Sequence, residues 1–324
     1  MKNLVCIVAG EPNSINSELI AKIWKRRKNF KNLNIFVIGN YLLIKKQLKL
    51  IKIKLNINKI SKIKEKNFKK QLLIYDVPLK FTNPFKVSYQ AKSKYILKCF
   101  KIAVEFAKKK KVSGFINCPI NKRETFGNNF TGITEFLAKK EGVIGKEAMI
   151  IYNKNLSVCP VTTHIKIKKI SNQISKKLIA NKLITINAFF SKKLRYKPKI
   201  GLLGLNPHND ELRKNSEEKK IIIPVIKKLK KRKISIHGPL SGDTAFMNLK
   251  KDKFDVLVGM YHDQVLSPFK ALYKFDAINI TLGLPYIRIS PDHGTGRNII
   301  KKNVADPKSL LEAIKFFKNI NART

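Results

Sequence analysis

The stretch Val256-Leu257-Val258-Gly259-Met260-Tyr261-His262-Asp263-Gln264 joins a short apolar run to a polar turn. An apolar run of this length, bounded by turn residues, is typical of a strand buried on both faces of a sheet. The same arrangement occurs where Ser157–Pro160 leads to His164 and where Ile200–Leu203 leads to His208. Open α/β sheets bind ligands at the carboxyl ends of their strands, so we expect all three histidines at such an edge.

Apolar runs alternate with longer amphipathic segments along the chain, which favours an α/β fold with mostly parallel sheets. A length of 324 residues suits two domains. The pattern predicts strands at Leu4–Val8, Ile35–Ile38, Gly114–Ile116, Met149–Tyr152, Ser157–Pro160, Ile200–Leu203, Val256–Gly259 and Ile278–Thr281. It predicts helices at Ser17–Lys25, Ser88–Lys109, Thr134–Lys140, Lys168–Ser191, Ser216–Lys231 and Pro307–Lys318, with Ser88 and Ser216 as N-caps. Residues 48–70 are read either as a strand with a loop or as a variable excursion.

Three imidazoles on separate loops suit one divalent transition metal that keeps an open coordination position. The alternative is that His164, His208 and His262 are ordinary surface or hydrogen-bonding residues, and no H-E-x-x-H motif or cysteine cluster decides between the two. His237 is expected to be an exposed histidine at a strand end.

A second group of polar residues lies near His262 in the sequence: Lys270, Asn279 and Arg288. Lysine and arginine are the residue types that hold phosphate and carboxylate groups. In a chain with 68 basic residues, any one of them is by default a solvated charge. Arg288 ends an apolar run, so its charge should need a partner.

His293 lies in Pro291-Asp292-His293-Gly294-Thr295-Gly296, where the glycines favour close backbone approach to a ligand. The alternative is a turn or helix N-cap that uses Asp292 or Thr295. No G-x-G-x-x-G follows a strand, so a nicotinamide cofactor would not be bound by the common Rossmann fingerprint.

The formal net charge is +47, which raises the question of nucleic-acid binding. The lysines are spread along the chain without interleaved aromatic platforms, so a general lysine bias on solvated faces is favoured and no nucleic-acid partner is expected. The positive field would still attract a small anionic phosphorylated metabolite. Four cysteines without a C-x-x-C pair, an apolar start too short for a signal sequence, and no run of ~20 apolar residues predict a cytoplasmic protein without membrane contact.

Several segments together resemble the 4-hydroxythreonine-4-phosphate dehydrogenase family of pyridoxal phosphate biosynthesis. They occur in the family's order over nearly the whole chain: Gly10–Pro12, Pro119–Lys122, Thr131–Glu135, Thr162–His164, Gly204–His208, Gly238–Thr244, Met260–Gln264, Asn279–Arg288 and Ser290–Gly296.

The resemblance implies two α/β/α domains with a cleft between them, related to the isocitrate and isopropylmalate dehydrogenases, in a homodimer. Approximate bounds are 1–130 plus 285–324 for the domain with the cofactor loop, and 131–284 for the domain with metal and substrate residues. It implies that His164, His208 and His262 bind one divalent metal (Zn, Mg or Co). Substrate-binding residues would be Thr134, Lys270, Asn279 and Arg288. The segment Asp292-His293-Gly294-Thr295 would bind NAD or NADP.

The implied reaction is NAD(P)-dependent oxidation of 4-phosphooxy-L-threonine to 2-amino-3-oxo-4-phosphooxybutanoate, which decarboxylates to 3-amino-2-oxopropyl phosphate. Asp243 and Asp263 adjoin the histidine loops and are candidates for proton transfer or for orienting the histidines. The alternatives are a dehydrogenase of phospho-erythronate or phospho-threonate and, from another class, a basic nucleic-acid-binding protein that has kept the fold.

The chain departs from the family pattern in three places. Ile133 stands where the family has a substrate-binding histidine. Either the site has lost a hydrogen-bond donor here, or Ile133 only packs the start of the helix and a neighbour such as Lys122 makes the contact to the substrate. Asn13–Asn16 replace a glycine-rich turn, and Asn298 with Ile300–Asn303 replace an Asp and an Ala-Gly-Lys-Gly run. The first change bears on the substrate and the last on the cofactor.

Overall fold

A computed structural model describes residues 3–63, 68, 70–130, 132–274 and 276–322 of the chain. Thr131, in one of the family-like segments, and residues 64–67 and 69, in the stretch that the sequence left open, lie outside the described residues. The chain divides into two compact units, one formed by residues 1–136 and 285–324 and the other by residues 137–284.

The described residues form twelve β-strands: β1 Leu4–Val8, β2 Asn34–Gly39, β3 Ile57–Ile60, β4 Leu72–Asp76, β5 Gly114–Asn117, β6 Ala148–Tyr152, β7 Ser157–Pro160, β8 Ile200–Leu203, β9 Ile236–Leu240, β10 Val256–Gly259, β11 Ile278–Leu282 and β12 Ile287–Pro291. They also form eleven α-helices: α1 Asn16–Lys25, α2 Tyr41–Leu50, α3 Tyr89–Lys108, α4 Lys122–Phe126, α5 Ile133–Lys140, α6 Ile170–Gln173, α7 Lys176–Phe189, α8 Ile223–Lys230, α9 Leu249–Asp252, α10 His262–Tyr273 and α11 Lys308–Ala322. Short 3₁₀ and π segments extend several of them.

In the first unit the strands run in the order β3-β4-β2-β1-β5-β12, and each neighbouring pair is parallel. All residues of β1 and β5 are buried, which explains why the sequence shows continuous apolar runs there rather than alternation. The parallel register places the residues after β1, β5 and β12 at one edge of this sheet.

In the second unit the order is β11-β6-β7-β10-β8-β9. Antiparallel pairing joins β11, β6 and β7, whereas β7, β10, β8 and β9 are parallel to one another. Helix α10 follows β10, and its Val265 and Phe269 are fully buried in a core with Val158 and Leu257. Burial of each such side chain contributes about 1.5–3 kcal/mol, so this packing fixes the helix that begins at His262.

All eight predicted strands are present within one residue at each end, and the expected α/β class with mostly parallel pairing is confirmed. Ser88 caps α3, because its hydroxyl accepts the Ala91 N–H at 3.4 Å, and Ser216 likewise accepts the Lys219 N–H at 3.2 Å. The single helix predicted at Lys168–Ser191 was wrong, since the chain breaks near Ile174, which is extended, and α7 starts afresh after Ser175.

Within the described ranges, no helix is long and apolar enough to cross a membrane. The four cysteines, Cys6, Cys99, Cys118 and Cys159, are all buried and unpaired. Burial raises the pKa of Cys99, Cys118 and Cys159 to about 12, and it raises the pKa of Cys6 as well. Thiolates are the reactive form, so these thiols should be inert in the folded chain.

We therefore expect the folded protein to react negligibly with a chromogenic disulfide reagent at about pH 8, where an ordinary thiol reacts readily. The same sample in denaturant should titrate four thiols. A thiol that reacts within seconds in the folded state would show that one of these side chains is reachable and that its burial has been misjudged.

Candidate active site

Four neighbouring parallel strands of the second unit carry predicted site residues at their carboxyl ends. In spatial order, β7 leads to His164, β10 to His262 and Asp263, β8 to His208, and β9 to Asp243. Adjacent strands are about 4.8 Å apart, so β7 and β8, which flank β10, are separated by roughly 10 Å. The topology therefore brings histidines that lie up to 98 positions apart to one edge of one sheet.

His164 and His262 form a pair, with ring centroids 5.8 Å apart and a tilt of 39°. His262 Nδ1 is 2.6 Å from Asp263 Oδ1. A carboxylate only accepts, so Nδ1 carries the proton and Nε2 is left as a lone-pair donor. His262 is also the first residue of α10, although the sequence placed it in a loop.

His208 begins an unusual backbone segment. Residues 208–212 all have positive φ, between 47° and 59°, and none of them is glycine. The left-handed conformation costs roughly 1–2 kcal/mol for each such residue, so the surrounding structure must hold this turn. The His208 ring is 77% exposed, and its Nδ1 is 3.9 Å from Asp243 Oδ2.

The buried carboxylate of Glu218 holds the residues that precede His208. Its Oε1 accepts the backbone N–H groups of Leu205 at 2.7 Å and of Asn206 at 2.9 Å. A carboxylate that accepts several backbone N–H groups is a strong, charge-assisted anchor. No feature of the sequence had pointed to Glu218, which lies ten residues from the histidine that it supports.

The histidine pair meets the first requirement of a metal site. Two imidazoles on one tetrahedral ion, each with a metal–nitrogen distance of about 2.1 Å, have ring centroids roughly 5 Å apart. The observed separation of 5.8 Å is close to this value. In the described part of the chain, however, no three His, Cys, Asp or Glu side chains are already gathered as a ligand group. The residues therefore fit a metal in type and in topology, with two of the three imidazoles paired.

Lys270 and Asn279, predicted to bind substrate, are also in the second unit. Lys270 is on α10, and Asn279 is on β11 opposite Ile151 of β6. The Oδ1 atom of Asn279 is buried and accepts no hydrogen bond from any described residue. A buried acceptor of this kind suits a hydroxyl or ammonium donor on a ligand.

Thr134 and Arg288, the other two predicted substrate residues, are in the first unit. Arg288 on β12 is only 3% exposed, and its Nε donates to Asn117 Oδ1 at 2.6 Å. Burial lowers the pKa of Arg288 to about 10, while Glu135 opposes the shift. The charge of Arg288 was expected to need a partner. Asn117 of β5 is such a partner, and the Glu135 carboxylate interacts with the same charge.

Lys122 contributes a second cation beside Arg288. Desolvation of its ammonium group lowers the pKa of Lys122. The charge of Arg288 lowers this pKa further, whereas the Glu135 carboxylate opposes the shift. Part of the Lys122 side chain is nevertheless exposed to solvent. Both cations interact electrostatically with the Glu135 carboxylate, which offsets only one of the two positive charges and leaves an excess. This excess suits a phosphate or carboxylate ligand.

Ile133 is the first residue of α5 and is only 6% exposed. Thr134, next to it, is buried as well. An isoleucine in this position packs the start of the helix, and a polar side chain there would lose contact with water. The structure therefore favours packing over a vacated donor position.

The segment Asp292–Thr295, predicted to bind the cofactor, is tied to the rest of its unit by two hydrogen bonds. The Asp292 N–H donates to Ser309 Oγ at 2.9 Å, and the Ile15 N–H donates to Thr295 O at 3.2 Å. His293 Nδ1 lies 2.9 Å from Gly294 O. Gly296, with φ of 60°, lies against Ile15 so closely that a Cβ atom would be 2.7 Å from its Cδ1.

Alternating charges extend from this segment into the interior. The Arg297 guanidinium donates to both carboxylate oxygens of Glu124, at 2.9 and 2.8 Å. The buried Lys92 ammonium contacts Glu124 in turn and lies 3.2 Å from Glu11 Oε1. This network was not foreseen, because its members are up to 286 positions apart and each resembles a solvated charge in so basic a chain.

His237 is exposed on β9, as expected, and its Nε2 is 3.4 Å from Ser235 Oγ. It is a strand residue rather than a residue of the loop at the carboxyl end. It is therefore separated from the edge that carries the other three histidines of the second unit.

The sheets are mostly parallel, two imidazoles are paired at strand ends, and the Arg288 guanidinium is buried. These features are typical of the metabolite-binding α/β class of enzymes. The family model "Pyridoxal phosphate biosynthetic protein PdxA" matches residues 31–317. The chain belongs to this family, as its motifs had indicated, and is a dehydrogenase, an oxidoreductase, of that family.

Individual relatives agree with this assignment. A 4-hydroxythreonine-4-phosphate dehydrogenase of Sulfurihydrogenibium sp. (strain YO3AOP1) is 40% identical over 317 residues, 96% of each chain. The D-threonate 4-phosphate dehydrogenase of Salmonella typhimurium is 32% identical over 320 residues, 96% of this chain and 97% of that protein. The crystal structure of the 4-hydroxythreonine-4-phosphate dehydrogenase from Klebsiella pneumoniae superposes with a TM-score of 0.86 at 28% identity, covering 99% of this chain and 98% of that one.

Because Ile133 is buried, we predict that restoring the family's histidine at this position destabilises the fold. Ile133→His would place an imidazole in a packed environment, at a cost of about 1–3 kcal/mol if it finds no partner. We expect a lower thermal midpoint and no gain in kcat/KM. The matched control, Ile133→Val, removes one methylene and should cost about 1 kcal/mol with kinetics unchanged. A gain of about tenfold in kcat/KM for Ile133→His, equal to about 1.4 kcal/mol, would instead identify a lost donor.

Proposed function

We propose that the protein oxidises 4-phosphooxy-L-threonine with NAD or NADP and a divalent metal, in the formation of pyridoxine 5′-phosphate. The product would be 2-amino-3-oxo-4-phosphooxybutanoate, which loses carbon dioxide to give 3-amino-2-oxopropyl phosphate. The observation that supports this most strongly is the shared strand edge at which His164, His262 and His208 follow three adjacent parallel strands. The identity of the substrate is inferred from the names of the relatives.

The proposed ligands of the metal are His164, His208 and His262. When bound, a metal such as Zn, Mg or Co would polarise the reacting oxygen, and the nicotinamide would accept the hydride. Asp263 would keep His262 in the tautomer that presents Nε2, through the contact of 2.6 Å. Asp243 and Asp263 remain the candidates for proton transfer.

Substrate binding is assigned to Thr134, Lys270, Asn279 and Arg288. A phosphorylated amino acid carries a phosphate, a carboxylate and an ammonium group. Arg288, with Lys122 beside it, supplies positive charge for an anionic group. The unpartnered Oδ1 of Asn279 would accept a hydrogen bond from an N–H or O–H group of the substrate.

The segment Asp292–Thr295 is proposed to contact the nicotinamide cofactor. It follows β12 at the carboxyl edge of the first unit's sheet, where α/β proteins bind nucleotides. Backbone anchoring by Ser309 and Ile15 would hold it in a defined shape before the cofactor arrives. Less conformational entropy is then lost on binding.

A second substrate is favoured by one specific observation. A relative that is 32% identical is named D-threonate 4-phosphate dehydrogenase. D-threonate 4-phosphate differs from 4-phosphooxy-L-threonine in bearing a hydroxyl in place of the amino group. Ile133 is buried at the start of α5, so its packing role does not decide between the two.

We also propose a homodimer in a reducing, cytoplasmic setting. Large apolar side chains are exposed close to the histidines in sequence, among them Ile165, Ile167, Leu212 and Met247. A contiguous apolar patch is typical of an association surface, and these side chains are the candidates for one. The four unpaired cysteines suit a reducing compartment.

A substrate panel tests the proposal. Purified protein with Mg²⁺, Co²⁺ or Zn²⁺ and with NAD or NADP would be offered the phosphates of 4-hydroxythreonine, threonate and erythronate, while reduced nicotinamide absorbance is followed. We expect turnover of the aminated substrate, with D-threonate 4-phosphate as the competing choice. No turnover with any of them, together with steeply salt-dependent binding to DNA or RNA, would point to the nucleic-acid-binding class instead.

The metal assignment predicts the effect of single substitutions. His164→Ala, His208→Ala and His262→Ala each remove one ligand, so metal-dependent turnover should fall by more than the 10- to 100-fold typical of residues that only support a ligand. The circular dichroism spectrum and melting should be unchanged. His237→Ala is the matched control and should retain both metal and activity. Full metal content in any of the first three variants would remove that histidine from the site.

A further inference from the structure

The three loops that carry His164, His262 and His208 are joined by one chain of hydrogen bonds. Its first link is Thr162, which is 6% exposed. The Thr162 backbone N–H donates to Met260 O at 3.1 Å, and its hydroxyl donates to the same oxygen at 2.7 Å. The loop after β7 is thereby fastened to the loop after β10, two residues from a histidine on each side.

Gln264 forms the second link. Its amide oxygen accepts the Met260 N–H at 2.6 Å, and its amide nitrogen donates to Gly204 O at 2.8 Å. Gly204 begins the turn that leads to His208. One side-chain amide therefore connects the loop after β10 to the loop after β8, using both its donor and its acceptor.

Gly259 makes room for this amide, and Gly242 lies beside it. A Cβ atom on Gly259 would lie 2.8 Å from Gln264 Oε1 and 2.6 Å from Val265 Cγ1. A Cβ atom on Gly242, next to Asp243, would lie 3.5 Å from Gln264 Nε2. The Gln264 amide thus lies where the loops after β8, β9 and β10 converge.

We infer that Gln264 and Thr162 are positioning residues that hold the three histidine-bearing loops at the separation that one metal ion requires. The inference rests on the proposed metal site, and it explains how two of the imidazoles are paired before any ion is bound. It also accounts for the retention of the strained left-handed turn at His208, because Gln264 and Glu218 fix the residues that precede this turn.

A simpler role for Gln264 must be separated from this one. A glutamine in the first turn of a helix can reach back to a preceding backbone N–H and act only as a cap. Gln264→Glu distinguishes the two roles, because a carboxylate still accepts the Met260 N–H but cannot donate to Gly204 O. Its negative charge would favour a nearby cation, so any loss of metal affinity cannot be attributed to charge.

The experiment compares Gln264→Glu, Gln264→Met, Thr162→Val and Thr162→Ser with the wild type. Co²⁺ is titrated against each protein, and its visible absorption reports both affinity and coordination geometry. We expect Gln264→Glu, Gln264→Met and Thr162→Val to bind Co²⁺ about 10- to 100-fold more weakly, as is typical when a supporting residue is lost. Thr162→Ser keeps the hydroxyl and should behave like the wild type.

Hydrogen exchange without metal supplies an independent readout. Peptides covering residues 204–210 should exchange faster in both Gln264 variants, and peptides covering residues 160–164 should exchange faster in Thr162→Val. Thr185→Val is the matched control, since Thr185 Oγ1 also donates to a backbone carbonyl, that of Lys146 at 2.7 Å, in the same unit but outside these loops. It should change neither exchange in these peptides nor Co²⁺ binding.

The outcomes separate the two proposals. If the wild type binds no Co²⁺, the metal assignment fails, while exchange still decides whether the loops are linked. If the wild type binds Co²⁺ and the Gln264 and Thr162 variants bind it with the same affinity and spectrum, the positioning role is overturned. Loss of affinity in Gln264→Met but not in Gln264→Glu would reduce Gln264 to a helix cap.

Discussion

Parallel pairing of β7, β10, β8 and β9 is the constraint on which the rest of this site depends. Parallel strands end at one edge, so residues that are distant in the chain become neighbours without any direct attraction between them. Antiparallel pairing would have placed consecutive strand ends at opposite edges. The order of the strands, with β10 between β7 and β8, makes the His262 loop the only one of the three that adjoins both others.

Packing and hydrogen bonds have different roles in this arrangement. Apolar burial of Val265 and Phe269 holds α10 against β7 and β10, but burial is non-directional and cannot set the angle of a loop. Directional bonds from Thr162, Gln264 and Glu218 set the loops. The neutral bonds of Thr162 and Gln264 are each worth only about 1 kcal/mol to stability, and those to the Glu218 carboxylate about 1.5–3 kcal/mol, yet each sets the position of a histidine-bearing loop.

The sequence predicted the parts of the fold whose signal is local. Continuous apolar runs located eight strands, since strands buried on both faces need such runs wherever they occur. It missed β4, left β3 open within residues 48–70, and missed β9 and β12, where Gly238, Pro239 and Arg288 interrupt the apolar pattern. It also missed helix α10, which begins at His262, because that helix is stabilised by packing onto the sheet rather than by a side-chain cap.

The candidate site, like the fold, could be predicted only where the signal lies in the local sequence. Histidines are rare in this chain, so three of them at strand ends could be noticed from the sequence. Arg297 and Lys92 could not be noticed in this way, because their side chains look like any others among 68 basic residues. Whether a lysine is solvated or faces a buried carboxylate depends on contacts between distant parts of the chain, and composition carries no information about those contacts.

Those distant contacts also relate two departures from the family pattern that are far apart in the sequence. The altered turn Asn13–Asn16 touches the residues that precede the second altered segment, through the Ile15 N–H bond to Thr295 O and the packing of Gly296 on Ile15. Asn16 fills its turn with a side chain that donates to the carbonyls of Ala9 and Pro119, both at 2.9 Å. Arg297 then fastens the second segment to Glu124. A change in the turn therefore alters the surface against which Thr295 and Gly296 lie, and these two residues lead directly into the second altered segment. The two departures are thus linked through one contact, although neither altered segment touches the other in the described contacts.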